Sequence, residues 1–114
     1  MPNLNDLNWH LVATIEDVPE EDVIQVKVGK QFFALYNVNG CFFATDDLCT
    51  HQEARLSDGF VIDDIIECPL HQGRFHIPTG TAKGAPVICN LRTYRVNVDG
   101  DNIYIGLSQP ETIE

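Results

Sequence analysis

The stretch CTHQEARLSDGFVIDDIIECPLH, residues 49–71, decides how this chain is read. It opens on Cys49-Thr50-His51 and closes on Cys68-Pro69-Leu70-His71, with sixteen residues between His51 and Cys68. Each end offers one thiol and one imidazole. Thiolates favour soft metals and iron–sulfur clusters, and imidazole suits zinc, copper and iron. A single Cys-x-His would pass for ordinary loop residues, but two matched pairs on separate loops point to a metal centre. Structural zinc is one option for two cysteines and two histidines. Zinc hairpins, however, usually place two cysteines two to four residues apart and then two histidines three to five apart. Mixed ligand types in each loop suit a binuclear cluster better, with both cysteines on one iron and both histidines on the other.

Outward from this stretch the chain reads as strands. Short apolar runs rich in Val, Ile, Phe and Tyr cover 10–15, 23–28, 32–38, 41–45, 60–67, 74–77, 93–98 and 102–107. Hairpin signals join several of them: Gly29-Lys30, Asn39-Gly40 and Asp99-Gly100. Asn-Gly and Asp-Gly tolerate the positive φ that tight hairpins require. Many short strands with frequent turns predict an all-β fold, an antiparallel β-sandwich or small barrel. The acidic stretch Glu16 to Glu21, with Pro19 inside it, predicts a turn rather than a helix. Residues 46–59, 68–73 and 78–86 read as loops, where function concentrates.

The remaining bounds come from length and charge. At 114 residues the chain is expected to form a single domain, 1–114, with a smaller cluster-binding subdomain at about 44–86. A net charge of −10 argues against nucleic acid and against an anionic membrane surface. The opening Met-Pro-Asn-Leu-Asn-Asp has neither a basic nor an apolar leader segment, so a cytoplasmic location is expected. No apolar run approaches the roughly 20 residues of a membrane helix. In a reducing compartment, four cysteines suggest metal or thiols before disulfides.

Cys-x-His, a gap of sixteen and Cys-x-x-His resemble the Rieske family, in which two histidines replace two cysteines on one iron. The resemblance runs from near Trp9 to near Leu107 and includes Gly73 to Phe75, Thr79-Gly80 and the loop around Pro86. It implies a Rieske fold and one 2Fe–2S cluster held by Cys49, His51, Cys68 and His71. Respiratory and photosynthetic relatives carry a loop-bridging disulfide, but the matching positions here are Ala54 and Leu70. The chain is instead similar to the soluble ferredoxins of bacterial aromatic-ring-hydroxylating dioxygenase systems. That implies a one-electron carrier, a monomer that is not catalytic alone. It would pass electrons from a flavoprotein NAD(P)H ferredoxin reductase to a terminal oxygenase. The alternative is a Rieske-like small subunit of another oxidoreductase, such as an assimilatory nitrite reductase.

Other residues carry smaller expectations. Glu16, Asp17, Glu20, Glu21, Asp46, Asp47, Asp63 and Asp64 are candidates for steering a basic partner, with Arg55, Arg74 and Lys83 near the loops. Cys41 and Cys89 sit in apolar stretches and read as buried, inert thiols. His10 reads as a surface residue. His76 stands where many relatives have Asp, which leaves it a candidate for a redox or docking role.

Overall fold

The computed structural model describes residues 7–49, 54–69, 73–83 and 89–108. The described residues form nine strands: β1 (Leu7–Thr14), β2 (Asp22–Val28), β3 (Gln31–Val38), β4 (Cys41–Asp46), β5 (Phe60–Ile62), β6 (Ile65–Glu67), β7 (Arg74–His76), β8 (Thr93–Asp99) and β9 (Asn102–Ser108). The helical pieces among the described residues are two single 3-10 turns, Ile15–Asp17 and Leu56–Asp58. The first answers the acidic stretch read as a turn. Asp17 folds back so that its carboxylate accepts from the Thr14 N–H at 2.9 Å.

Six strands make one antiparallel sheet in the order β1-β9-β8-β4-β3-β2, curled so that β1 and β2 lie against each other. The turns obey the chemistry of their residues. Asn39 and Gly40 both hold positive φ between the paired Val38 and Cys41, as a type I′ hairpin needs. Between β5 and β6 the chain turns at Asp63-Asp64, with Asp63 at φ 55°. The single run read over 60–67 is therefore two strands. Aspartate tolerates the left-handed region without advertising it as glycine would.

β3 explains how the second layer is attached. It is buried continuously from Phe33 to Val38. Successive side chains point to opposite faces. Phe33 and Leu35 join Val18, Val26, Ala44, Ile103 and Ile105 inside the curl. Ala34, Tyr36 and Val38 face outward and pack with Val23, Leu56, Ile66, Phe75 and Ile77. The last three belong to or adjoin a small three-stranded antiparallel sheet, β5-β6-β7. The fold is thus a curled sheet with a smaller sheet packed on its outer face.

The small sheet is an excursion between β4 and β8. Those two strands pair at Ala44–Tyr94 and Thr45–Thr93, and the Asp46 N–H donates to the Arg92 carbonyl at 3.1 Å.

Two thiol readings are corrected. Cys41 and Cys89 are both exposed. Cys41 opens β4 directly after the tight turn and points outward, and Cys89 precedes β8 in a bend rather than in a strand. His10 is half-buried on β1, paired with Ile105.

Candidate metal centre

Cys49 and Cys68 head two loops that close in the same way. The Cys49 N–H donates to the Ala54 carbonyl at 2.9 Å, and the Cys68 N–H donates to the Gly73 carbonyl at 2.6 Å. Outside each cysteine the chain is paired again, Leu48 with Arg55 and Glu67 with Arg74. Each loop is therefore a six-residue ring that starts on a cysteine. His51 and His71, the other two expected ligands, lie outside the described residues.

Both cysteines are buried and belong to one apolar cluster with Ala54, Leu56, Ile66 and Phe75. Two soft donors set in a water-excluding shell fit an iron–sulfur group. A buried thiolate without such a counterpart would carry a heavy desolvation cost.

The first loop is clamped by a residue that the sequence reading assigned elsewhere. Asp47 was a candidate for steering a partner, but it is only 3% exposed and cannot do so. Its carboxylate accepts from the Ser57 N–H (2.8 Å), the Ser57 hydroxyl (3.0 Å) and the Gln25 amide (2.7 Å). Its main-chain carbonyl accepts from the Leu56 N–H at 2.6 Å. The signal available in the sequence was an acid two residues before Cys49, followed ten residues on by a serine that can answer it. Asp46 is half-buried and accepts from the Tyr94 hydroxyl at 2.5 Å. Of the other candidate acids, Glu16, Asp17, Glu20, Glu21 and Asp63 are exposed and Asp64 is half-buried.

Two tyrosines are tied to this region. Tyr36 is fully buried and hydrogen-bonds Thr45 Oγ1 at 2.8 Å, while Thr45 donates to the Asp46 carbonyl. Burial pushes the Tyr36 phenol well above the usual tyrosine range, and the nearby Asp47 and Cys49 add to that, against the pull of the Thr45 bond. Tyr94 is pushed up to about 12 by burial and by its bond to Asp46.

His76 lies at the end of β7 remote from the cysteine loops. Its Nε2 is 2.9 Å from Asp64 Oδ2 and its Nδ1 is 2.8 Å from Thr79 Oγ1. Both ring nitrogens are thus engaged in tying the Asp63-Asp64 turn to the turn after β7. A groove beside Cys49 is lined by Lys30, Phe32, Leu48 and Arg55, and Phe32 and Leu48 are exposed. Among the described residues, no helix is long and apolar enough to cross a membrane.

Comparison with known proteins agrees with this arrangement. A ferredoxin component of a naphthalene 1,2-dioxygenase system from Pseudomonas aeruginosa is 49% identical over 100 residues, 88% of this chain and 96% of that one. The solved structure of Sphingomonas yanoikuyae B1 ferredoxin superposes with a TM-score of 0.81 at 38% identity, over 90% of this chain and all of that one. A chain of the complex of reduced oxygenase and oxidized ferredoxin in carbazole 1,9a-dioxygenase superposes with a TM-score of 0.82 at 33% identity, covering 91% and 97%. The profile of the Rieske [2Fe-2S] domain matches residues 8–95. With two buried cysteines heading matched loops on a sheet of this topology, the chain belongs to the Rieske [2Fe-2S] domain family.

Proposed function

We propose that this chain is a one-electron carrier of an aromatic-ring-hydroxylating dioxygenase system. It takes electrons from a flavoprotein ferredoxin reductase and delivers them to the terminal oxygenase, and it performs no catalysis alone. The observation that carries this reading is the pair of buried cysteines on matched loops. The near full-length likeness to a ferredoxin component supports it. We assign Cys49, His51, Cys68 and His71 as the ligands of its one Rieske 2Fe–2S cluster. Residues 44–86 form the binding subdomain of a single domain over 1–114.

When bound, the cluster supplies one reversibly held electron and transfers no atoms. The protein's own residues set the conditions. Ala54, Leu56, Ile66 and Phe75 keep water from the cysteine side. Asp47, Ser57 and Gln25 fix the first loop. The exposed Phe32 and Leu48 beside Cys49 give a partner an apolar foothold close to the centre. The carrier works as a cytoplasmic monomer between its two partners.

The test is reconstitution. Purified protein should be red-brown, contain iron and sulfide, and restore NAD(P)H-driven product formation when added to the reductase and oxygenase of a naphthalene 1,2-dioxygenase system. A colourless protein holding zinc would overturn the reading, as would tight copurification with a large reductase subunit.

A further inference from the structure

With a net charge of −10, the chain suggests a basic partner. The fold, however, sorts its charges by strand direction. β2 and β3 pair from Asp22–Asn37 at one end to Val28–Gln31 at the other, and Phe33 pairs with Asp46 just before Cys49. The β2–β3 hairpin, with Lys27 and Lys30, therefore lies at the end that bears the cysteine loops. Arg55 and Arg74 pair with the residues just outside those loops, the Lys83 N–H donates to the Arg74 carbonyl, and the Arg92 carbonyl accepts from the Asp46 N–H. Six of the seven basic residues thus gather at this end, and all six are exposed. Exposed acids gather at the opposite end. There the Glu21 N–H donates to the Asn37 carbonyl, the Glu21 carboxylate accepts from the Asp63 N–H, and the Asp101 carbonyl accepts from Ile15, next to Glu16 and Asp17. Of the described acids at the cysteine end, Asp47 is buried, Asp46 accepts from the Tyr94 hydroxyl, Glu67 is paired with Arg74 at 3.0 Å, and the exposed Asp58 does not line the groove beside Cys49. That groove, of about 710 Å³, is lined by Lys30 and Arg55 together with the exposed Phe32 and Leu48. Among the described residues neither Lys30 nor Arg55 enters an ion pair. The Lys27 ammonium lies 5.5 Å from the centroid of the Phe32 ring and adds a third cation to the rim.

We propose that this groove docks an acidic face of a protein partner, in which a carboxylate set beside an apolar side chain is received by Lys30 and Arg55 around Phe32 and Leu48. The proposal deepens the apolar foothold described above and rests on the reading of this chain as an electron carrier. Local charge decides the sign of the partner, and net charge does not. The seven residues of β2 separate the two ends by about 23 Å, against a Debye length of about 8 Å at physiological salt. In the docked complex the distant acids are therefore screened, while Lys30 and Arg55 are in contact. The acid-rich end points away from the interface, and its repulsion of an acidic partner disfavours the reversed approach.

The experiment mixes the oxidised, loaded protein with the reductase, and separately with the oxygenase, of a naphthalene 1,2-dioxygenase system. A water-soluble carbodiimide joins an amine to a carboxylate in contact with it, and mass spectrometry of the digested complex locates the join. Lys30 or Lys27 should be joined to an Asp or Glu of the partner in at least one mixture. Joins made only from this chain's acids, such as Glu20 or Asp63, to partner lysines overturn the proposal, as does the lack of any join through Lys27 or Lys30. Titration calorimetry supplies the second measurement. Lys30→Gln and Arg55→Gln, both at exposed positions, should each weaken binding by about fivefold at low salt. Asn102→Asp adds the same single negative unit at the acid-rich end, where Asn102 is exposed, and should weaken binding by less than about twofold. Equal losses in Lys30→Gln and Asn102→Asp would show that only net charge matters, and unchanged or tighter binding in Lys30→Gln would show a basic partner in the groove; either result overturns the proposal. Absence of iron and sulfide from the wild-type protein would instead overturn the carrier reading, and the proposal with it.

Discussion

Gly59 tests whether the small sheet and the second cysteine loop are one mechanical unit. A Cβ placed on Gly59 would lie 2.2 Å from the carbonyl oxygen of Glu67 and 3.1 Å from that of Leu56. Ordinary contact begins near 3.4 Å, and the nearest obstacle is backbone, so it cannot swing aside. Glu67 pairs with Phe60 across β5 and β6 and immediately precedes Cys68. Gly59→Ala must therefore part the two strands at the point where the second loop begins. Overpacking of this kind costs about 1–3 kcal/mol, and one or two weakened sheet hydrogen bonds add about 1 kcal/mol each. A total of about 3 kcal/mol corresponds to a fall in melting temperature of about 12 °C for a domain of this size. Thermal unfolding followed by circular dichroism gives that number, and bleaching of the visible band gives the rate of cluster loss. Both should worsen together. Gly40→Ala is the control. It has open space around the new methyl and suffers only its positive φ of 83°, so about 1 kcal/mol is expected with no change in bleaching. A Gly59→Ala protein that melts within about 2 °C of wild type would show that the strands yield freely and would refute the argument.

Cys49→Ser, His51→Ala, Cys68→Ser and His71→Ala should each abolish the native spectrum. Cys41→Ser should retain it, and the exposed Cys41 should react with a maleimide in the loaded protein without bleaching. A Cys41→Ser protein that bleached while Cys49→Ser did not would reverse the ligand assignment. Folding raises the Tyr94 pKa from 10.0 to about 12, so the neutral phenol is favoured in the native state. Its contribution to stability is present below pH 10 and is lost as pH rises to about 12; Tyr94→Phe should flatten part of that decline in alkaline denaturation curves. The midpoint potential should fall near the low end of the roughly −150 to +300 mV range of Rieske centres, because Gly73 and Phe75 offer no hydroxyl to the cluster sulfurs. It should also be nearly flat between about pH 6 and 8, and a value well above zero or a steep fall in that window would point to a quinol-oxidising type.

The strands and the ligand loops were legible in the sequence for different reasons. Turn residues such as Asn39-Gly40 punctuate the chain locally, so the hairpins around them could be placed. The two Cys/His pairs stand out by spacing alone. What escaped was set by tertiary contact. The Asp63-Asp64 turn lacks a glycine, so it was absorbed into one strand. Cys41 and Cys89 looked buried because their neighbours are apolar, yet a thiol beginning a strand or lying in a bend can face out. Asp47 reads like any surface acid until Gln25 from β2 and Ser57 from beyond the loop close over it. The serine ten residues on is its one trace in the sequence, since all three donors lie ten or more residues away.

The excursion between β4 and β8 leaves and returns within one hydrogen bond, Asp46 to Arg92. In polymer terms the whole small sheet is a closed loop, and its closure is prepaid by two strands that pair anyway. Closing a chain of this length costs about 3 kcal/mol in entropy, which a short turn in its place would largely spare. The curled sheet is therefore a host into which a segment of almost any length can be spliced. The restriction lies on the face and not at the ends. Ala34, Tyr36, Val38 and Val23 present a dry outer surface that the small sheet covers. Any module transplanted between Asp46 and Arg92 must bring an apolar underside to match it, or the host will glue itself to another copy through that same patch.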